Sequence, residues 1–293
     1  MPMGTAWQVG IIIVVTLLFI GSAVTGVERG VKLLSQANLI AAALLALIIF
    51  IFGPTVAILD TFSNTLGNYL SSFVRMSLRL TPFRDSGWIG DWTIFYWAWW
   101  ISWSPFVGLF IARISKGRTI REFLLGVVIA PTLVGFAWFS IFGGTALNME
   151  IFQNAGLTQA ASQDPSLALF AMLDQLPLAA LTSVVATLLV IIFFITSGDS
   201  ATLVLASMSQ NGTPTPSNRN KIIWGVLVSG IALSLLLAGG LKAVQTATIL
   251  FALPFSIVLV LMTIALLRAI KQDWAEEQRQ QRELRRKMRS LVQ

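Results

Sequence analysis

Seven uncharged stretches dominate this sequence and constrain it more than anything else in it: residues 1–27, 33–59, 92–112, 123–149, 175–198, 222–241 and 243–267. About 20 consecutive apolar residues in a helix cross the hydrocarbon core of a bilayer, and each stretch is that long. They are continuously apolar, not alternating over ~10 residues as barrel strands do, which excludes a transmembrane β-barrel. Charged residues make up 11% of the 293 positions and hydrophobic ones 56%, whereas soluble domains carry about a quarter charged residues. A soluble enzyme is excluded. The chain reads as an all-α polytopic membrane protein with seven spans over residues 1–270 and a charged tail over 271–293.

Cysteine and histidine are both absent, which removes thiol chemistry, disulfides, histidine acid–base catalysis and the usual zinc or haem ligand sets. Neither a phosphate-binding GxxxxGK[ST] loop nor a GxSxG nucleophile elbow occurs. No enzyme, cofactor or nucleic-acid partner is signalled. Net charge is +7, and its location is more informative than its sum. Assigned to alternate sides of the seven spans, 16 of the 20 basic residues share one side, and only Arg75, Arg79, Arg84 and Lys242 fall on the other. Lysine and arginine in short loops mark the cytoplasmic side, so the C-terminus is expected in the cytoplasm and Met1 outside. Residues 1–27 carry no basic n-region or cleavage signal, so they are no secretory leader. Two explanations of an outside N-terminus stay open: a short uncharged segment that crosses by itself, or an odd number of spans preceding Met1.

Between the second and third spans Phe62, Leu66, Tyr69, Leu70 and Phe73 fall on one face of a helix, with Ser63, Asn64, Ser71, Ser72 and Arg75 on the rest. This pattern predicts an amphipathic helix in the interface plane, or an ordinary loop helix. The third span is stranger. Five of the ten tryptophans, Trp92, Trp97, Trp99, Trp100 and Trp103, lie within the segment GDWTIFYWAWWISWSPF. An interfacial aromatic belt is the simple reading, but a span that starts near Trp92 puts Trp97–Trp103 roughly 8–17 Å inside. At 100° per residue Trp97, Trp99, Trp100 and Trp103 share an arc of about 160°. A buried tryptophan face suits a quaternary ammonium held by cation–π attraction. Ser104-Pro105 follows directly, and the proline removes the N–H that would bond the Ile101 carbonyl. Either a broken, substrate-exposed helix or a simple kink results.

DWTIFYWAWWISWSPF at 91–106, continuing into VGLFIARISKGRTIREF, resembles the signature region of the betaine/carnitine/choline transporter family. QANLIAAALL at 36–45, FGPTV at 52–56, SIFGGTA at 140–146 and FFITSGDSA at 193–201 extend the likeness over essentially the whole chain. The resemblance implies a twelve-span secondary transporter built on a leucine-transporter-like pair of inverted five-helix repeats, of which this chain matches spans six to twelve. It implies that five spans precede Met1, including a glycine-rich third span that completes the substrate and ion sites. It also raises a homotrimer as the expected assembly.

Carried over residue by residue, the likeness assigns Trp99, Trp100 and Trp103 to a central substrate cage, with Trp97 and Phe95 along the same path. Phe106 falls near one sodium site, and Phe193, Thr196 and Ser197 contribute to a second. Hydroxyls and carbonyls are the oxygen donors a small hard cation needs, although hydroxyls in membrane helices often bond back to helix carbonyls instead. The implied function is Na⁺-coupled uptake of glycine betaine, choline or carnitine across the plasma membrane. A non-transporting ligand receptor or regulatory subunit, and an inactive remnant, stay open beside it. Asp199 is either an intramembrane ion or proton ligand or a solvated capping group at the cytoplasmic end of the fifth span. Arg113 and Arg118, with Lys116 and Arg121, read as an orientation-setting basic loop, or as a gate or lipid-headgroup contact. The tail holds seven basic and four acidic residues without glycine or proline, a helix-forming composition. Its cluster Arg285, Arg286, Lys287 and Arg289 faces anionic lipids if the orientation is right; the resemblance implies an osmotic sensor, and a solvated tail that only fixes topology stays open beside it.

Overall fold

The computed structural model describes residues 4–25, 28–81, 83 and 87–292, without the side chains of 28–32, 113, 114, 286 and 289–292. Arg113 and Arg286 therefore lie outside the described side chains. Among the described residues the chain is helical with no strand. Six helices are long and apolar enough to cross a membrane. The chain divides into two compact units. One comprises Met1–Leu80 and Ala112–Ser234, the other Thr81–Ile111 and Leu235–Gln293.

In the first unit, α1 (Thr5–Thr25) and α2 (Glu28–Phe52) both pack on α9 (Ala179–Met208). The expected second span, 33–59, is cut short. Pro54 has no N–H for the Phe50 carbonyl and disfavours helical backbone at Gly53. The Thr55 hydroxyl donates to that carbonyl instead, at 2.7 Å. Helix α2 thus ends at Phe52, and α3 (Thr55–Ser77) begins straight after.

The amphipathic segment is longer than the pattern at 62–73 implied, and its packed face is displaced. Ile58 is buried, Thr61 meets Gly144, and the Tyr69 ring sits edge-on to Phe136 at 5.0 Å. Leu70 and Phe73 stay exposed. Contacts 61–144 and 69–136 show α3 running antiparallel along α6 (Ala130–Gln153) for about two turns.

Helix α5 (Ile120–Leu124) opens with a capping box. The Thr119 hydroxyl accepts from the Glu122 N–H at 3.3 Å, and the Glu122 carboxylate accepts from the Thr119 N–H at 3.0 Å. The sequence T-x-x-E dictates this arrangement. A π-helical stretch, Leu125–Ile129, joins α5 to α6. It lies just ahead of Pro131, which has no N–H for the Val127 carbonyl, and wider turns of this kind are a usual way past such a gap.

Beyond α6, Asn154 takes the left-handed conformation of a C-cap residue, and Gly156, also left-handed, stands at the N-cap of the next helix. The short helices α7 (Leu157–Gln163) and α8 (Ala168–Leu173) follow. They close a core of Leu45 and Ile49 from α2, Met149 from α6, Leu157, Met172 and Leu173, with Leu176 and Ala186.

The expected fifth span, 175–198, moves toward the C-terminus. Leu178 is left-handed, α9 starts at Ala179, and it continues ten residues past Gly198. Asp199 therefore lies within a helix rather than at its end, half-buried, and its carboxylate accepts from Ser22 at 3.2 Å. A capping role is ruled out by that position. Phe19 is 2% exposed and lies so close to Gly198 that a Cβ there would stand 2.9 Å from its ring. This seam needs glycine.

The final helix, α10 (Asn218–Val292), passes from the first unit into the second and is interrupted at Gly239 and Gly240. Gly240, at φ 60° and ψ −141°, takes a conformation open essentially to glycine alone. The break divides the helix into two apolar stretches, where the sequence placed the boundary at Lys242. The helix runs on through the tail to Val292.

Candidate functional site

The tryptophan segment belongs to the second unit. Helix α4 (Phe95–Ile114) is preceded by a π-helical stretch, Ile89–Ile94, so the helical backbone begins before Trp92, where the sequence had started the span. Wider turns shift the phase of every side chain they contain, and periodicity alone could not place Asp91 or Trp92. From Phe95 onward the helix is regular. Phe95, Trp99 and Trp103 fall four residues apart and stack in a ladder. Phe95–Trp99 centroids are 6.1 Å apart at 18°, and Trp99–Trp103 are 6.1 Å apart at 21°. Trp100 leans on Trp103 at 6.3 Å. Trp92 and Tyr96 form a second parallel pair, 5.9 Å apart and only 6° from parallel, and Tyr96 touches both Phe95 and Trp99. The sequence reading had not included Tyr96. Trp97 points away from the ladder and is 56% exposed.

Pro105 does not break this helix. Backbone helicity continues through it to Ile114, and the Ser104 hydroxyl donates to the Trp100 carbonyl one turn back. The real interruptions are at Gly53-Pro54 and Gly239-Gly240. On the opposite side from the rings, Ala98 and Pro105 are buried. Trp99, Trp100 and Trp103 remain 41–63% exposed. The ladder's rings are thus ordered by one another while the three tryptophans stay partly exposed.

Two polar ties hold α4 to the second stretch of α10. Lys242 Nζ stands 2.6 Å from Asp91 Oδ1, and the Ser102 hydroxyl donates to the Thr248 carbonyl at 3.1 Å. Sequence reading used Lys242 only as a topology marker and missed the pair. The available signal was that each residue is the lone charge in its apolar stretch.

The residues expected near sodium fall in different units. Phe193, Thr196 and Ser197 lie on α9 in the first, and Phe106 on α4 in the second. The Thr196 hydroxyl donates to the carbonyls of Ile192 and Phe193, at 3.0 and 3.1 Å. Back-bonding of this kind uses the proton and leaves oxygen lone pairs available to a cation. The Thr196 carbonyl itself is taken by Ser200 at 2.9 Å.

Comparison with known proteins decides the family. The betaine/carnitine/choline family transporter profile matches residues 1–275. The chain belongs to that family. It is 48% identical over 271 residues to the glycine betaine transporter OpuD of Bacillus subtilis, covering 92% of this chain and 52% of OpuD. An ectoine/hydroxyectoine transporter of Virgibacillus pantothenticus is 42% identical over 90% of this chain and 53% of its own length. A glycine betaine/proline/choline transporter of Vibrio parahaemolyticus is 41% identical, with 93% and 49% covered. The chain spans about half the length of these curated relatives. That family is one of membrane transporters, and six helices among the described residues are long and apolar enough for a multi-pass membrane protein.

Proposed function

We propose that this chain supplies the tryptophan-bearing wall of a secondary transporter for quaternary-ammonium solutes, with glycine betaine the leading substrate. The observation that carries this reading is the Phe95–Trp99–Trp103 ladder with Trp100 beside it, four rings on one helix of which the three tryptophans are exposed. A trimethylammonium group cannot be hydrogen-bonded. It is held by ring quadrupoles within about 6 Å of the centroids, and tryptophan is the best of them. Relatives whose names specify glycine betaine and choline take solutes that carry this group. Trp97, turned away from the ladder, belongs to the approach path and not to the cage.

In this reading the fold is part of a five-plus-five inverted repeat with seven spans and a helix α3 at the interface, the C-terminus lies in the cytoplasm, and the assembly is a homotrimer in the plasma membrane. Alternating access comes from one bundle rocking against the other around a fixed site. Sodium is a co-transported ion, with Thr196, Ser197 and Phe193 at one site and Phe106 near another. The hydroxyl lone pair on Thr196 supports this. Arg118, Arg285 and Lys287, together with Arg113 and Arg286, respond to ionic strength at the anionic leaflet. Carnitine and choline are further substrates of the same cage.

Uptake of labelled glycine betaine by cells expressing the gene that encodes this chain tests the proposal. Trp103→Leu should lower apparent affinity at least tenfold, since a desolvated cation–π contact is worth about 2 kcal/mol. Replacing Na⁺ by K⁺ at constant ionic strength should stop uptake. Unchanged affinity in the Trp103 variant removes the cage assignment, and persistent uptake in K⁺ removes sodium coupling.

A further inference from the structure

Between residues 87 and 112 the chain carries one charged side chain, Asp91, and between 241 and 267 it carries one, Lys242. These two lone charges are bonded to each other at 2.6 Å. Lys242 also sits at a helix start. Asp91 lies in the π-helical entry to α4, and Lys242 is the second residue after the Gly239-Gly240 break. An acid at a helix N-terminus is favoured by the helix dipole, and a base there is disfavoured. Lys242 is therefore in an electrostatically poor place unless Asp91 faces it, which argues against a charge present only for solubility.

The pair is coupled to the rings by adjacency. Trp92 follows Asp91 and stacks on Tyr96, and Tyr96 touches Phe95 and Trp99. Eleven residues further along α4, Ser102 bonds the Thr248 carbonyl of the same partner helix. The tryptophan segment is thus pinned at both ends to one helix, and the pins fix its rotation about its own axis. A helix pinned at one end can turn, and turning moves every ring face together.

We propose that Asp91 and Lys242 are positioning residues that set the rotational orientation of the tryptophan face and thereby the affinity for a quaternary ammonium. The affinity part rests on the cage reading given above, whereas the orientation part does not. Neither residue touches the substrate. Breaking the pair frees the π-helical entry to rewind, the Trp92–Tyr96 stack slips, and the ladder turns away from its setting. Exchanging the two charges keeps the pair and the net charge of the unit unchanged.

The purified full chain in lipid nanodiscs provides two readouts. Stacked indoles give a circular-dichroism couplet that reports ring orientation without any ligand, and glycine betaine quenching of tryptophan fluorescence reports affinity. Lys242→Ala and Asp91→Asn should each reduce the couplet and raise the half-quenching concentration about two- to fivefold, the range for a partly exposed ion pair. Helical content should stay at the parent level. The exchanged double variant, Asp91→Lys with Lys242→Asp, should restore both readouts. Singles that match the parent in couplet and quenching overturn the proposal, as does an exchanged variant that behaves like the singles. If glycine betaine does not quench the parent chain, the cage reading fails there, and the couplet of the same four proteins still decides whether the pair orients the rings.

Discussion

The core around Leu173 and the ladder around Trp99 are both apolar and both helical, yet they are ordered by opposite means. In the first, side chains from five helices close on one another, and Leu173 and Ile49 are 0% exposed. In the second, large rings on one helix stack along that helix, and Trp99 remains 43% exposed. Close packing makes a position intolerant of change. Stacking with open faces leaves it tolerant in stability and sensitive in whatever the faces bind. The largest effect should fall in the first region. Leu173→Ala removes a fully enclosed side chain and should cost about 2–5 kcal/mol, read as a shift of the unfolding midpoint in mixed detergent. A loss below about 1 kcal/mol would mean that the core around α7 and α8 is not closed.

Next comes the seam between α1 and α9. Gly198→Val places a methyl-bearing Cβ where the Phe19 ring already stands at 2.9 Å. The ring is 2% exposed and has nowhere to retreat, so overpacking of about 1–3 kcal/mol is expected. Combining Gly198→Val with Phe19→Ala should recover part of that loss, because the two atoms in conflict are then no longer both present.

Trp99→Ala sharpens the contrast from the other side. Its ring pairs with Phe95, Tyr96 and Trp103 all lie along the same helix, and each such pair is worth about 0.5–1.5 kcal/mol. Stability should therefore fall by less than in Leu173→Ala, while the indole couplet collapses. A stability loss equal to that of Leu173→Ala would erase the distinction between the regions.

How much of this could be read from the chain follows the same division. Long uncharged stretches are a property of length and composition, so the membrane-spanning helices were plain, as was the tryptophan arc within the regular part of α4. The capping box at Thr119 is equally local, but only the structure brought it out. What escaped was set by neighbours. The end of α2 depends on Thr55 replacing a donor that Pro54 lacks, and the packed face of α3 is fixed by Gly144 and Phe136 on another helix. Asp199 was misplaced because its helix runs on past the charge, tolerated through Ser22 of α1. The Asp91–Lys242 pair joins residues 151 positions apart, and a π-helical stretch hides the phase of one of them. Local signals end where a partner from elsewhere supplies the missing bond.

The smallest expected effect lies in the connection between α7 and α8, which neither packs like the core nor stacks like the ladder. Asp164 caps the turn Pro165–Leu167. Its Oδ1 accepts from the Ser166 hydroxyl at 2.6 Å and from the Ser166 N–H at 2.9 Å. The side-chain bond first, then the backbone bond, hold its carboxyl below the usual aspartate value. A carboxyl whose folded value is depressed adds stability that is fully present above its unfolded value, near 3.8. That contribution is lost as the pH falls through the lower, folded value. Between neutral pH and about pH 5 the cap should thus be constant, and below about pH 4 it should fade. Asp164→Ala should therefore differ slightly from the parent at pH 7 and converge with it in acid, measured as amide exchange at Ser166 and Leu167. Asp164→Asn keeps an acceptor without the charge, so its exchange rate should fall between the two and lack the acid transition. An acid transition that persists in the asparagine variant would assign it to some other group and leave Asp164 a neutral cap.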